Sequence, residues 1–276
     1  MKKKKIAIII CILFIIAGSA GVIVYFLDSK ESQDQIEALK EKMPAPQTKD
    51  DKKKDYLNYY LIDGKKIQEN MKDLYVQNTD FVGWISIDET SIDYPVMQCR
   101  SNMNYYLHRG YDKEYSGSGS IFANTASSIS TPSDNILIYG HHMITNTMFH
   151  SLTDYENEDY YKQHKYITFN SIYRTGTYEV IAAFRTKIQS DESEKFIYYN
   201  FFDAKDKADY NDYIKNIKEL TPYQMESTAT YGDKLITLST CAYHTKNGRY
   251  VVVAKRISGL EITEQSKCLG EIETSH

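Results

Sequence analysis

Apolar and polar positions divide the chain into distinct regimes. From Ile6 to Leu27, "IAIIICILFIIAGSAGVIVYFL" is uncharged over 22 residues, with "MKKKK" before it and Asp28 after it. At about 1.5 Å per residue, such a run matches the roughly 30 Å of a bilayer core. The lysines ahead of it place the N-terminus in the cytoplasm and the remainder outside the cell. A cleaved signal peptide competes with this reading, because "AGSAG" offers small residues. The run is longer than the usual signal-peptide core, and "VYFLDSK" lacks a small-x-small site, so residues 1–28 are expected to form an uncleaved signal-anchor.

Residues 29–54 then turn polar. "SKESQDQIEALKEKM" has a helical pattern and "PAPQTKDDKKK" breaks it, which predicts a stalk or linker. Over 55–77, Leu57, Tyr60, Leu61, Ile67, Met71 and Leu74 recur at roughly helical spacing, predicting one or two amphipathic helices broken near Gly64. After Asn78 the period shortens. "GWISI" (Gly83–Ile87), "SIFA" (Ser120–Ala123), "NILIYG" (Asn135–Gly140), "KYITF" (Lys165–Phe169), "TYEVIAAFRTKI" (Thr177–Ile188), "KLITLST" (Lys234–Thr240) and "RYVVVAKRI" (Arg249–Ile257) read as short strands. Between the fifth and sixth lies a helical insertion, Asp203–Leu220. Many short strands with few helices predict a mainly β fold, a barrel or sandwich over 78–258, inside a domain spanning 55–258. The tail, 259–276, is polar and expected to fray.

Composition sharpens this outline. With 276 residues, 42% of them hydrophobic, the chain can build one sizeable core. A formal net charge of -4 and no basic stretch interleaved with aromatics argue against a nucleic-acid partner. The 25 tyrosines lean further toward β structure. Cys11, Cys99, Cys241 and Cys268 show no CxxC spacing, so neither a zinc site nor a disulfide framework is indicated, and no other metal set is visible. Whether Cys99 and Cys268 pair outside the cell is left open.

Cys241 stands where "LITLST" gives way to the loop "AYHTKNG", whose Asn-Gly pair marks a turn. A cysteine at a strand end can face substrate at a rim; its ordinary role would be a small buried hydrophobe. Arg249 opens the next strand, so the two strand ends can approach. A guanidinium there can lower a thiol pKa or donate to an oxyanion; its ordinary role is a surface charge. His141 and His142 follow a strand and Gly140, placing an acid-base group nearby, where a histidine would otherwise be a structural hydrogen-bonder. His244 would need a tight loop to meet Cys241. His108, His150 and His164 have no comparable context.

"TLSTC" with downstream "GRYVV", preceded by "IYGHHM", resembles a class B sortase. "FVGWISIDETSIDYPVMQ" and "YYLHRGYDKEYSGSGSIF" are similar to the same class, and the likeness covers roughly Asn78–Ile257. It implies a closed β-barrel with N-terminal helices and a helical insertion between late strands. It further implies a cysteine transpeptidase that cuts an Asn-Pro-x-Thr type sorting signal from secreted proteins and joins them to the cell wall through a thioester. On the matching motifs, Cys241 is the nucleophile, His141 the general acid/base and Arg249 the oxyanion or substrate clamp, while Ser239 and Thr240 border the substrate and His142 is structural. The implied partners are the signal-bearing proteins, a peptidoglycan precursor amine and the membrane, with no cofactor. The stretch "ANTASSISTPSDN" departs from the Asp-Tyr-Arg-like sequence usual in the class. Another cysteine acyl-transferase or hydrolase of the envelope, or a non-catalytic anchored module, is the alternative. The order histidine before cysteine argues against a papain-like enzyme, and the absent His-x-x-x-Gly-Cys pattern argues against an L,D-transpeptidase.

Overall fold

The computed structural model describes residues 2–43, 56–188, 196–242 and 245–274, with side chains in the first helix given from residue 18 onward except Ala20. Eight strands close into a ring: β3 (Phe81–Ser86), β4 (Asp93–Met97), β5 (Ile121–Ala123), β6 (Asn135–Tyr139), β7 (Tyr166–Ser171), β8 (Thr177–Lys187), β9 (Leu235–Cys241) and β10 (Gly248–Ser258). The order around the barrel is β10-β8-β7-β3-β4-β5-β6-β9. Most pairs are antiparallel, but β4 runs parallel to β5 and β6 parallel to β9.

The late strands are nearly continuous apolar runs because both of their faces are covered. Along β10, Tyr250, Val252 and Ala254 join the barrel core with Ile236, Leu238 and Val180. The alternate residues Val251 and Val253 join a second core with Leu235 and Ile181. That second core is capped by α4 (Lys207–Leu220), whose Tyr210, Tyr213, Ile214 and Ile217 form the buried stripe expected of an amphipathic helix. Asp206 caps it, accepting from the N–H groups of Ala208 and Asp209. The helical insertion therefore lies where the sequence pattern places it.

Four expectations are corrected. Much of 55–77 is a hairpin rather than helix: β1 (Tyr59–Ile62) pairs with β2 (Lys65–Gln68), and only α2 (Lys72–Gln77) is α-helical. The turn residues Asp63 and Gly64 have φ of +46° and +74°, so the Asp-Gly pair is a hairpin turn and not a helix break. β4 escapes the sequence pattern because Pro95 interrupts it; the pairing with β5 begins only at Val96. Within the described residues the tail is not frayed, since β11 (Cys268–Ile272) pairs in parallel with β1. Cys99 and Cys268 are both free thiols.

The fourth correction concerns the stalk. The helix α1 (Lys2–Lys40) runs through the apolar segment and continues onto the folded body. Leu39 is buried, Tyr25 and Ile36 pack against the barrel core, and Lys40 pairs with Asp93 at 3.1 Å. Residues 29–40 are thus part of the domain surface, and the Pro-rich remainder of the predicted linker, 44–54, lies outside the described residues. Among the described residues, no helix is long and apolar enough to cross a membrane. Side chains of residues 6–17 and Ala20, which make up more than half of the apolar run 6–27, also lie outside that description.

Candidate active site

The parallel pairing of β6 with β9 builds the site. Its register matches Tyr139 with Ser239, so the residues that follow each strand emerge side by side at one rim. The Gly140 N–H donates to the Ser239 carbonyl at 3.2 Å, and the Thr240 hydroxyl donates to the Gly140 carbonyl at 2.9 Å. One step further on, His141 leaves β6 beside the end of β9 that carries Cys241. The antiparallel pairing of β9 with β10 then sets Arg249 directly opposite Cys241. Three residues separated by up to 108 positions in the chain are gathered by two strand registers.

These side chains line one cleft of about 370 Å³, together with Ser239, Thr240, Leu107, Phe122, Tyr139, Ile188 and Tyr199. Cys241, His141 and Arg249 are each partly buried, whereas Ser239 and Thr240 are almost fully buried. The Ser239 hydroxyl is held by the Tyr198 hydroxyl at 2.7 Å. Arg249 donates from Nη1 to the Gly248 carbonyl at 2.9 Å.

His141 is oriented by a backbone group. Its Nε2 lies 2.8 Å from the Leu107 carbonyl. A carbonyl can only accept, so Nε2 carries the hydrogen, and in the neutral ring Nδ1 is left to exchange a proton. Burial holds the imidazole below the usual histidine pKa, with the Leu107 bond opposing and the charges of His108 and Arg249 adding to the shift. His142 points elsewhere and packs its ring on His150, with centroids 4.3 Å apart. His244 lies outside the described residues.

Two groups escaped the sequence reading. The Leu107 carbonyl is invisible to it because backbone acceptors carry no sequence signal. His108, which showed no context in sequence, stacks on His141 with centroids 5.5 Å apart. The departing stretch "ANTASSISTPSDN" reaches the cleft indirectly, through Asn124 donating to the Tyr139 hydroxyl at 3.1 Å.

The closed barrel thus carries a cysteine, a histidine and an arginine on one cleft at its rim, the residue types that cysteine acyl transfer requires. The sortase domain family matches residues 85–257. The chain is 28% identical to Sortase B of Staphylococcus aureus (strain NCTC 8325 / PS 47) over 251 residues, covering 90% of this chain and 94% of that protein. It is 30% identical to Sortase B of Listeria monocytogenes over 195 residues, covering 70% of this chain and 76% of that one. Among solved structures, sortase B from Bacillus anthracis in complex with AAEK1 superposes with a TM-score of 0.70 at 26% identity, covering 84% of this chain and 99% of that one. The Staphylococcus aureus sortase B–substrate complex gives a TM-score of 0.69 at 30% identity over the same shares. The chain belongs to the sortase family. It is a cysteine transpeptidase of the sortase B type.

Proposed function

We propose that this enzyme cuts an Asn-Pro-x-Thr type signal near the C-terminus of secreted proteins and joins the new carboxyl end to an amine of a peptidoglycan precursor. The observation that carries this reading is the convergence of Cys241, His141 and Arg249 on one cleft. Cys241 gives its thiol proton to Nδ1 of His141, the thiolate so formed attacks the threonyl carbonyl, and the Arg249 guanidinium stabilises the oxyanion that forms. His141 protonates the departing amine from Nδ1, leaving a thioester on Cys241. The acceptor amine then attacks the thioester, gives its proton to His141 and releases the thiolate. A thioester keeps enough acyl-transfer potential to form an amide without ATP, and the scheme uses no metal or organic cofactor. Ser239 and Thr240 border the substrate, with Thr240 also tying β9 to the turn ahead of His141.

In this reading the chain is held at the cell membrane by residues 6–27, with the N-terminus cytoplasmic and the barrel outside. The support is the uncharged run behind four lysines, within a continuous helical backbone. The full chain incubated with an Asn-Pro-x-Thr peptide should show the mass of the acyl fragment on Cys241, and a small amine should discharge it. Alkaline extraction of cells should leave the chain in the membrane pellet. Absence of any adduct would sink the reaction, and full extraction would sink the anchor.

Arg249→Lys should lower turnover by about 10²–10³-fold, the usual cost of one lost oxyanion donor. An ammonium is a compact point charge and cannot reproduce the planar fork of a guanidinium. Arg256 sits on the same strand, but its guanidinium donates to Glu261 at 3.1 Å and to the Thr175 carbonyl at 3.0 Å. Arg256→Lys should therefore change thermal melting more than turnover. Full activity in Arg249→Lys would mean that positive charge alone suffices.

A further inference from the structure

The "SGSGS" loop, Ser116–Ser120, and the first helix have no role in the chemistry above, yet they meet. The Asp28 carboxylate accepts from the Gly117 N–H with oxygens at 3.0 and 3.3 Å. One turn further along α1, the buried Ser32 hydroxyl lies 3.5 Å from that of Ser116. The loop in turn brackets Leu107: the Ser116 N–H donates to the His108 carbonyl at 3.1 Å and the Ser120 N–H to the Tyr106 carbonyl at 3.0 Å. Gly119 is needed for the fit, and at Gly117 a side chain would push the Asp28 carboxylate off the loop. A Cβ at Gly117 would lie 2.8 Å from Asp28 Oδ2, and one at Gly119, where φ is +58°, would lie 2.3 Å from the Leu107 oxygen. That oxygen is the acceptor of the His141 ring.

The same helical turn also grips the loop on the far side of His141. Ser29 is buried and donates to the Thr145 hydroxyl at 3.1 Å, which lies 2.9 Å from that of Thr147. This loop closes where the Phe149 N–H donates to the His141 carbonyl at 2.9 Å. Both loops whose ends meet at the His141–Leu107 bond are therefore pinned by residues 28–32 of α1.

We infer that Asp28, Ser29 and Ser32 are positioning residues for His141, holding its ring against the Leu107 carbonyl. The inference rests on His141 being the acid/base group. Asp28 is the first residue after the apolar run, so the helix that leaves that run also sets the histidine.

The test compares Asp28→Ala and Gly117→Ala with Lys40→Met in the full chain in detergent micelles. Lys40 braces the same helix on β4 through Asp93, away from both loops. His108, stacked on His141, and Arg249, which shares its cleft, are the charged or titratable groups that act on it, and both stay unchanged throughout. Asp28→Ala and Gly117→Ala should lower kcat about 10-fold with little change in KM for the peptide, because orientation is lost and binding is not. The His141 imidazole, followed by NMR in histidine-labelled protein, should titrate closer to its ordinary value as the ring loosens into solvent. Asp28→Asn should restore part of kcat, since an amide oxygen can still accept. Lys40→Met should lower the melting temperature and leave the His141 titration in place. The clamp is overturned if Asp28→Ala and Gly117→Ala behave as Lys40→Met does, with the titration unmoved. Should Asp28→Ala not fold, Ser32→Ala and Gly117→Ala supply the same readout. Full turnover by His141→Ala would instead remove the reaction scheme, while the titration would still decide whether α1 holds the ring.

Discussion

Cys241→Ala is expected to abolish both peptide cleavage and amine transfer, by roughly 10⁶-fold, the order seen when a covalent nucleophile is removed. Without the sulfur no thioester can form, and neither half of the reaction has another route through this cleft. The fold should survive. Cys241 ends β9 and is only partly buried, and its pairing with Arg249 is made by backbone groups that alanine retains. The stability cost of deleting one partly buried sulfur is on the order of 1 kcal/mol, so thermal melting should barely move. The paired measurement is turnover of a signal peptide beside a melting curve. Near-normal turnover with an unchanged melt would remove Cys241 from the mechanism.

His141→Ala is expected to cost about 10²–10⁴-fold in turnover, the usual range for general acid–base catalysis. His142→Ala should cost far less, because that ring packs on His150 while His141 lines the cleft. The pH dependence adds a second signature. Burial depresses the folded-state pKa of His141, so the ring gains its proton only below the ordinary histidine value of 6.5. The low-pH limb of kcat/KM should accordingly fall below pH 6.5 and vanish from the residual activity of His141→Ala. The same depression makes the unfolded chain bind this proton first. Its effect on folding is therefore a loss of stability as pH drops below 6.5, not as it rises. A larger loss of turnover in His142→Ala would reassign the acid/base role.

The cysteine, histidine and arginine that line the cleft could be read from the chain because each stands at a strand end that local pattern identifies. β-branched runs mark β6, β9 and β10, and Gly140 and the Asn-Gly pair mark where they stop. Periodicity served less well between residues 55 and 77. There Tyr60, Leu61 and Ile67 fit a helical spacing, but the Asp-Gly turn and the pairing of β1 with β11, more than 200 residues away, turned the segment into sheet.

Local sequence by itself determined seven of the eight barrel strands, the α4 stripe, the uncharged N-terminal run and which cysteine, histidine and arginine stand at strand ends. Each of these depends on which residues are apolar over a few turns or a few strand positions. Tertiary structure alone decided the parallel register of β6 on β9, the Leu107 carbonyl that orients His141, the stacking of His108 and the seating of α1 on two loops. Those depend on backbone groups and on contacts between distant segments. A backbone carbonyl is the same at every position, and the partner of an open strand edge is chosen only when the whole chain has folded.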